Sequence, residues 1–143
     1  MKIVRDILRQ KEVMVWTIQP NATVREALTE MAAHDIGALV VTERDEVIGV
    51  ISERDYARKV IVRGKSSLET LVEDIMTKQP TCVTPDETID ECMHRMTEKH
   101  VRHLPVIEGI NLIGVISIGD VVAAIIGDHE SKIDELESMI YGS

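Results

Sequence analysis

At 143 residues the chain is the size of one compact domain, and its net charge of −9 excludes a generic nucleic-acid binder, which needs basic surface to displace counterions from phosphates. Apolar residues make up 44% and charged residues 29%, a soluble globular balance; with no Phe, one Trp and two Tyr, the core must be built from Val, Ile, Leu, Ala and Met. No apolar run approaches the roughly 20 residues of a membrane-spanning helix, the N-terminus lacks a secretory apolar region, and Cys82 and Cys92 have no CxxC spacing, so free thiols in a reducing cytoplasm are expected.

In chain order, residues 3–10 place Ile3, Val4, Ile7 and Leu8 three and four apart and predict a short helix. An apolar strand from Val13 to Ile18 follows, closed by Pro20-Asn21. Thr23 reads as a helix N-cap, with Glu26 completing a capping box. The helix it opens carries Val24, Ala27, Leu28 and Met31 on one face and ends near Gly37, which is available for a positive φ. Ala38–Val41 and Val47–Ile51 flank the polar turn Glu43–Glu46 and predict a hairpin, and a helix from about Glu53 to Arg63 completes the unit.

A polar linker, Gly64-Lys65-Ser66-Ser67, leads into a second copy. It has a short helix around Leu71–Met76, a strand at Thr81–Val83, a turn and cap at Pro85–Thr88 with Glu91, and a helix on Ile89, Cys92, Met93 and Met96. A hairpin of Leu104–Ile107 with Leu112–Ile116 and a helix over Asp120–Ile126 complete it. A tail helix after Gly127 puts Ile133, Leu136 and Ile140 on one stripe, which needs a partner surface on this chain or on another subunit.

The two copies are an internal repeat, in register without an insertion from Pro20 and Pro85 onward. Thr23 matches Thr88, Met31 matches Met96, Leu39 matches Leu104 and Ile48 matches Ile113. Gly49-Val50-Ile51-Ser52-Glu53-Arg54-Asp55 matches Gly114-Val115-Ile116-Ser117-Ile118-Gly119-Asp120. Two copies cannot make a solenoid, and each is near the lower limit for burying a core alone. The expected architecture is therefore α/β (α+β): two pseudo-symmetric β-α-β-β-α repeats, at 1–64 and 65–127, packed as one module, plus a helical tail at 128–143.

The repeated Gly-Val-Ile-Ser-x-x-Asp admits two readings. The serine ends a strand and caps the next helix, with the aspartate in its first turn, which is ordinary helix capping. The same arrangement presents N–H groups and a helix dipole to an anion, and a carboxylate suited to a ribose diol. Duplication copies both alike.

The doubled stretch, together with His100-Val101-Arg102-His103-Leu104-Pro105-Val106 before the second hairpin, resembles the CBS-domain pair, or Bateman module. The resemblance covers nearly the whole chain, and Arg54–Val60 with Gly64–Ser67 is similar to small stand-alone bacterial and organellar members. It implies two clefts between the repeats that bind adenosine compounds such as AMP, ADP, ATP, S-adenosylmethionine or NAD(H). Carried over by position, Asp55 and Asp120 would hold ribose hydroxyls, and Ser52 and Ser117 would meet ribose or phosphate. Adenine would lie against Ile18, Ala22 and Ile36 in one cleft and near Val83, Glu87 and Val101 in the other. Arg54 would meet phosphate, together with Arg102 and His103 of the facing repeat.

The copies diverge where Arg54 corresponds to Gly119 and Gly37 to Arg102, and only the first continues into Arg58, Lys59, Arg63 and Lys65. That cluster fits either bound phosphate, which makes the Asp55 cleft the stronger phosphate site, or a solvated helix face. Gly37, Lys59 and Gly119 accordingly join the candidate ligand-binding positions. His100 and His103 belong to no metal-ligand spacing, the cysteines read as core, and no Ser-His-Asp order, GxSxG or Walker pattern is present. The expected function is a non-enzymatic regulatory module, an energy or redox-state sensor binding an adenosine nucleotide, AMP first. The expected assembly is a homodimer with a possible partner enzyme, in the cytoplasm, without nucleic acid or membrane. The alternative is a protein-interaction module in which the nucleotide is a structural filler.

Overall fold

The computed structural model describes residues 2–11 and 14–141. Its elements run α1 (Val4–Gln10), β1 (Thr17–Ile18), α2 (Val24–His34), β2 (Ala38–Glu43), β3 (Glu46–Ser52), α3 (Glu53–Tyr56) with a π-helical continuation (Ala57–Ile61), α4 (Val72–Ile75) and β4 (Thr77–Lys78). The second half adds α5 (Ile89–Lys99), β5 (His103–Glu108), β6 (Asn111–Ser117) and α6 (Ile118–Tyr141). The mixed α and β architecture and the repeat are as the sequence predicts.

The chain forms two compact units, and they exchange segments relative to the repeat boundaries. One unit is Val15–Pro80; the other joins Met1–Met14 to Thr81–Ser143. The helix that opens each repeat causes the difference. Ile3-Val4-Arg5-Asp6-Ile7-Leu8 and Leu71-Val72-Glu73-Asp74-Ile75-Met76 are copies of one helix start, and in each the aspartate accepts from the backbone N–H three residues before it. Val4 donates its N–H to Glu87 O and Val72 to Ala22 O, so each helix docks beside the cap of the other repeat's long helix.

In the Val15–Pro80 unit the sheet order is β1-β2-β3-β4. β1 lies parallel to β2, with Thr17 opposite Val40, whereas β2 and β3 form an antiparallel hairpin. Arg44 and Asp45 at its tip both have positive φ, as a two-residue primed turn requires. Leu39, Val41 and Ile51 face one side of the sheet and pack with Val24, Ala27 and Met31 of α2, Val60, and Val72 and Ile75 of α4. In the other unit Leu104, Val106 and Ile116 play the same part against Ile89, Cys92 and Met96 of α5, Val121 of α6, and Val4 and Ile7 of α1. Burying one such aliphatic side chain contributes about 1.5–3 kcal/mol, and the repeat supplies matching sets to both cores.

Several elements differ from the sequence expectation. The strand expected over 13–18 pairs only at Thr17–Ile18, and Val13 lies outside the described residues. Its counterpart at 81–83 is a single parallel bridge, Val83 with Val106, because Val83 N–H and C=O reach only Pro105 O and Ile107 N–H. The left-handed residue that ends α2 is Asp35 (φ 51°), not Gly37, and His100 (φ 56°) does the same for α5. Polar side chains such as Asp tolerate this region through local hydrogen bonding. The helix after Asp55 turns π-helical, with Val62 N–H donating to Ala57 O at 3.2 Å. Gly127 does not divide the closing helix from the tail: α6 runs 24 residues straight through it. A helical glycine costs only about 1 kcal/mol, which its neighbours absorb.

Candidate functional site

Both strand-to-helix junctions are built by the same local logic. Ser52 leaves β3 extended (φ −127°, ψ 162°), and its hydroxyl accepts from the Asp55 N–H at 3.1 Å. Asp55 Oδ2 accepts in return from the Ser52 N–H at 2.9 Å and the Ser52 hydroxyl at 3.0 Å. In the other unit Ser117 Oγ accepts from the Asp120 N–H at 3.1 Å, and Asp120 Oδ2 from the Ser117 N–H at 2.8 Å. The capping reading of the repeated stretch is thus realised at both places.

The anion-binding side of that reading is narrower than expected. The first helical N–H is already committed in each copy, Glu53 to Gly37 O at 3.0 Å and Ile118 to Arg102 O at 2.8 Å, and the third is committed to the serine. Gly37 and Arg102 therefore take part through their carbonyl groups. A Cβ on Gly119 would lie 3.6 Å from Ser117 Oγ, an ordinary contact, so position 119 has room where the first copy carries Arg54.

Each carboxylate carries a lysine. Lys59, one turn along from Asp55, places Nζ 3.1 Å from Oδ1 and donates to Ile75 O at 2.8 Å. At the other junction Lys11, the C-cap residue of α1, places Nζ 2.7 Å from Asp120 Oδ2 and 3.2 Å from Val115 O. Burial pushes the Asp120 carboxyl up, but the hydrogen bond from Lys11 and the Ser117 N–H outweigh it, and the group sits below the ordinary carboxylate value. Lys11 was not among the sequence candidates; it lies 109 residues from its partner.

The remaining predicted residues divide between the units. Around Ser52 and Asp55, Ile18, Ala22 and Ile36 are half-buried against the core, and Arg54 is exposed, as are Arg58, Arg63 and Lys65. Lys59 is half-buried and bonded to Asp55 and Ile75 O. Trp16, which sequence reading passed over, is stacked on His34 at 3.4 Å beside the same core. In the other unit His103 lies directly across the hairpin from Ser117, where the first copy has Ala38 opposite Ser52. Val101 is half-buried, whereas Val83 is 1% exposed and belongs to the core. The Glu87 carboxylate is committed to Arg95 and the Thr84 N–H.

Cys92 is fully buried, and burial followed by Glu87 pushes its thiol up to about 11, the opposite of an activated nucleophile. Among the described residues no three His, Cys, Asp or Glu side chains converge as a metal site, and no helix is long and apolar enough to cross a membrane.

The duplicated junction, with its reciprocal Ser–Asp cap at the end of a hairpin, defines a class. The chain matches the CBS domain family over residues 4–62 and 72–127 and belongs to it: it is a CBS-domain pair, a regulatory kind of module. Among its relatives is the mitochondrial CBS domain-containing protein CBSX3 of Arabidopsis thaliana, 43% identical over 125 residues, which cover 84% of this chain and 61% of that protein. A CBS-domain protein from Burkholderia ambifaria has a similar structure, with a TM-score of 0.85 and 45% identity over 89% of this chain and 96% of its own. The CBS domain pair of MJ0100, solved in complex with 5′-methylthioadenosine and S-adenosyl-L-methionine, shares the fold at 23% identity, with a TM-score of 0.79, over 90% of this chain and 98% of its own.

Proposed function

We propose that the protein is a non-enzymatic regulatory module that binds an adenosine nucleotide at the Ser52–Asp55 and Ser117–Asp120 junctions, AMP first, with ADP, ATP and NAD(H) as the other members of the class. The observation that carries this is the doubled pairing of a half-buried carboxylate with a lysine at the mouth of a capped helix. The carboxylate accepts from hydroxyl groups, and nearby cations favour phosphate. The exposed Arg54, Arg58, Arg63 and Lys65 favour the Asp55 junction for the phosphate-rich end of a ligand, whereas Arg102 and His103, which the resemblance sets at the same phosphate as Arg54, border the Ser117 junction. That the fold accepts adenosine compounds is a property of the MJ0100 pair. The role is that of an energy or redox sensor in a reducing compartment such as the cytoplasm.

A second reading is favoured by one feature. Ile126, Ile133, Leu136 and Ile140 of α6 are each more than half exposed on one helix. This stripe fits homodimer formation or a partner enzyme, with the nucleotide as a fixed filler. Isothermal titration of nucleotide-stripped protein with AMP, ADP, ATP, NAD and NADH separates the two. Micromolar, selective, reversible binding means a sensor, and ligand that copurifies and resists exchange means a filler. The double variant Asp55→Ala, Asp120→Ala should lose binding while keeping its fold; unchanged affinity would sink the site assignment.

A further inference from the structure

We propose that Lys11 contacts ligand at the Asp120 junction, where ammonium and carboxylate together make a donor–acceptor pair for a ribose hydroxyl; this rests on the nucleotide reading above. Lys11 Nζ donates to Asp120 Oδ2 at 2.7 Å and to Val115 O at 3.2 Å, and neither contact uses the third donor of the ammonium. On the carboxylate, Lys11 and the Ser117 N–H both fall on Oδ2, and Oδ1 accepts from neither. A sugar hydroxyl is donor and acceptor at once. It can give its proton to Oδ1 and accept from Lys11, a two-point contact that a carboxylate alone does not offer.

The pair is also held for this task. Lys11 ends α1, its N–H bonded to Ile7 O at 3.1 Å, so the lysine reaches the junction from a packed helix. The side chains of Lys11 and Asp120 are 40% and 20% exposed, open enough for a ligand yet fixed by three hydrogen bonds. The Asp55 junction is arranged differently. There Lys59 sits on Oδ1, while the N–H and hydroxyl of Ser52 take Oδ2, so both oxygens already have a donor and a diol must share Oδ1 with Lys59. The Asp120 junction is therefore the readier of the two for the sugar end of a nucleoside.

The test is isothermal titration of the nucleotide-stripped full chain with AMP and with adenosine, which lacks phosphate. Lys11→Met should weaken both ligands at one site by about 10- to 100-fold, as expected for loss of a charge-assisted hydrogen bond, with the other site unchanged. Lys11→Arg should fall between Lys11→Met and the wild type. Lys11→Gln provides the same comparison if Lys11→Met proves unstable in urea. A loss confined to AMP would show that Lys11 meets phosphate and would overturn the hydroxyl role; unchanged or tighter binding would overturn ligand contact altogether. If the wild type binds neither ligand, the nucleotide reading itself fails, and this inference with it.

Discussion

The two junctions carry the same serine and aspartate in the same reciprocal cap, yet the cation at each comes from a different part of the chain. At Asp55 it is Lys59, four residues along the same helix; the matching position in the second copy is Ala124, packed in the core. At Asp120 it is Lys11, delivered by α1, which opens the first repeat. Duplication preserved what the fold requires, the cap and the hairpin across from it. The compensation of the half-buried carboxylate was then met twice by unrelated solutions, and so the two sites differ in which oxygen the lysine occupies, Oδ1 at Asp55 and Oδ2 at Asp120.

The largest effects should come from breaking the shared frame. Leu39 and Leu104 are repeat-equivalent and 1% and 0% exposed; Leu39→Ala and Leu104→Ala should each cost about 2–5 kcal/mol in urea unfolding. A clear inequality would show that the matched cores are not equally tight. Removing the caps comes next. Ser52→Ala and Ser117→Ala should each cost about 1 kcal/mol, and similar losses would confirm that the junctions are structurally alike.

The third prediction separates the junctions by pH. The Asp120 carboxyl is held below its ordinary value of 3.8, so its contribution to stability is present above that value and is lost as pH falls below it through the folded-state value. Lys11→Met should raise the Asp120 titration, read by carboxyl carbon NMR, because burial then acts against one donor fewer; an unmoved titration would break the assignment. The smallest effect concerns stability alone. Both ion pairs are partly exposed, so Lys11→Met and Lys59→Met should each cost less than about 1 kcal/mol, measurable as a small change in urea midpoint.

The sequence carried the repeat, the helix caps, the hairpins and the Ser–Asp junctions, because each is written within a few residues. What escaped it was non-local or offset. The α1 and α4 helix starts, Ile3–Leu8 and Leu71–Met76, match each other only when the alignment slips by three residues from the register of the rest, and that slip hides their kinship. Lys11 was missed for the same reason, since its role exists only once α1 packs beside β6. Asp35 occupies the left-handed position that glycine preference assigned to Gly37, and His100 does the same in the second copy, where no glycine is at hand. Gly127 gave a false stop because one helical glycine costs only about 1 kcal/mol, too little to end α6. The 81–83 strand reduced to a bridge because only Val83 reaches its neighbour.

The exchange of α1 sets an order of events during synthesis. Every segment of the Val15–Pro80 unit exists once Pro80 is made, whereas Val4 and Ile7 must wait for Ile116 and Val121 to complete their core. At roughly 5–20 residues per second that delay is on the order of ten seconds. During that time α1 lacks the core it packs against, so substitutions in α1 act on the unit that is completed last.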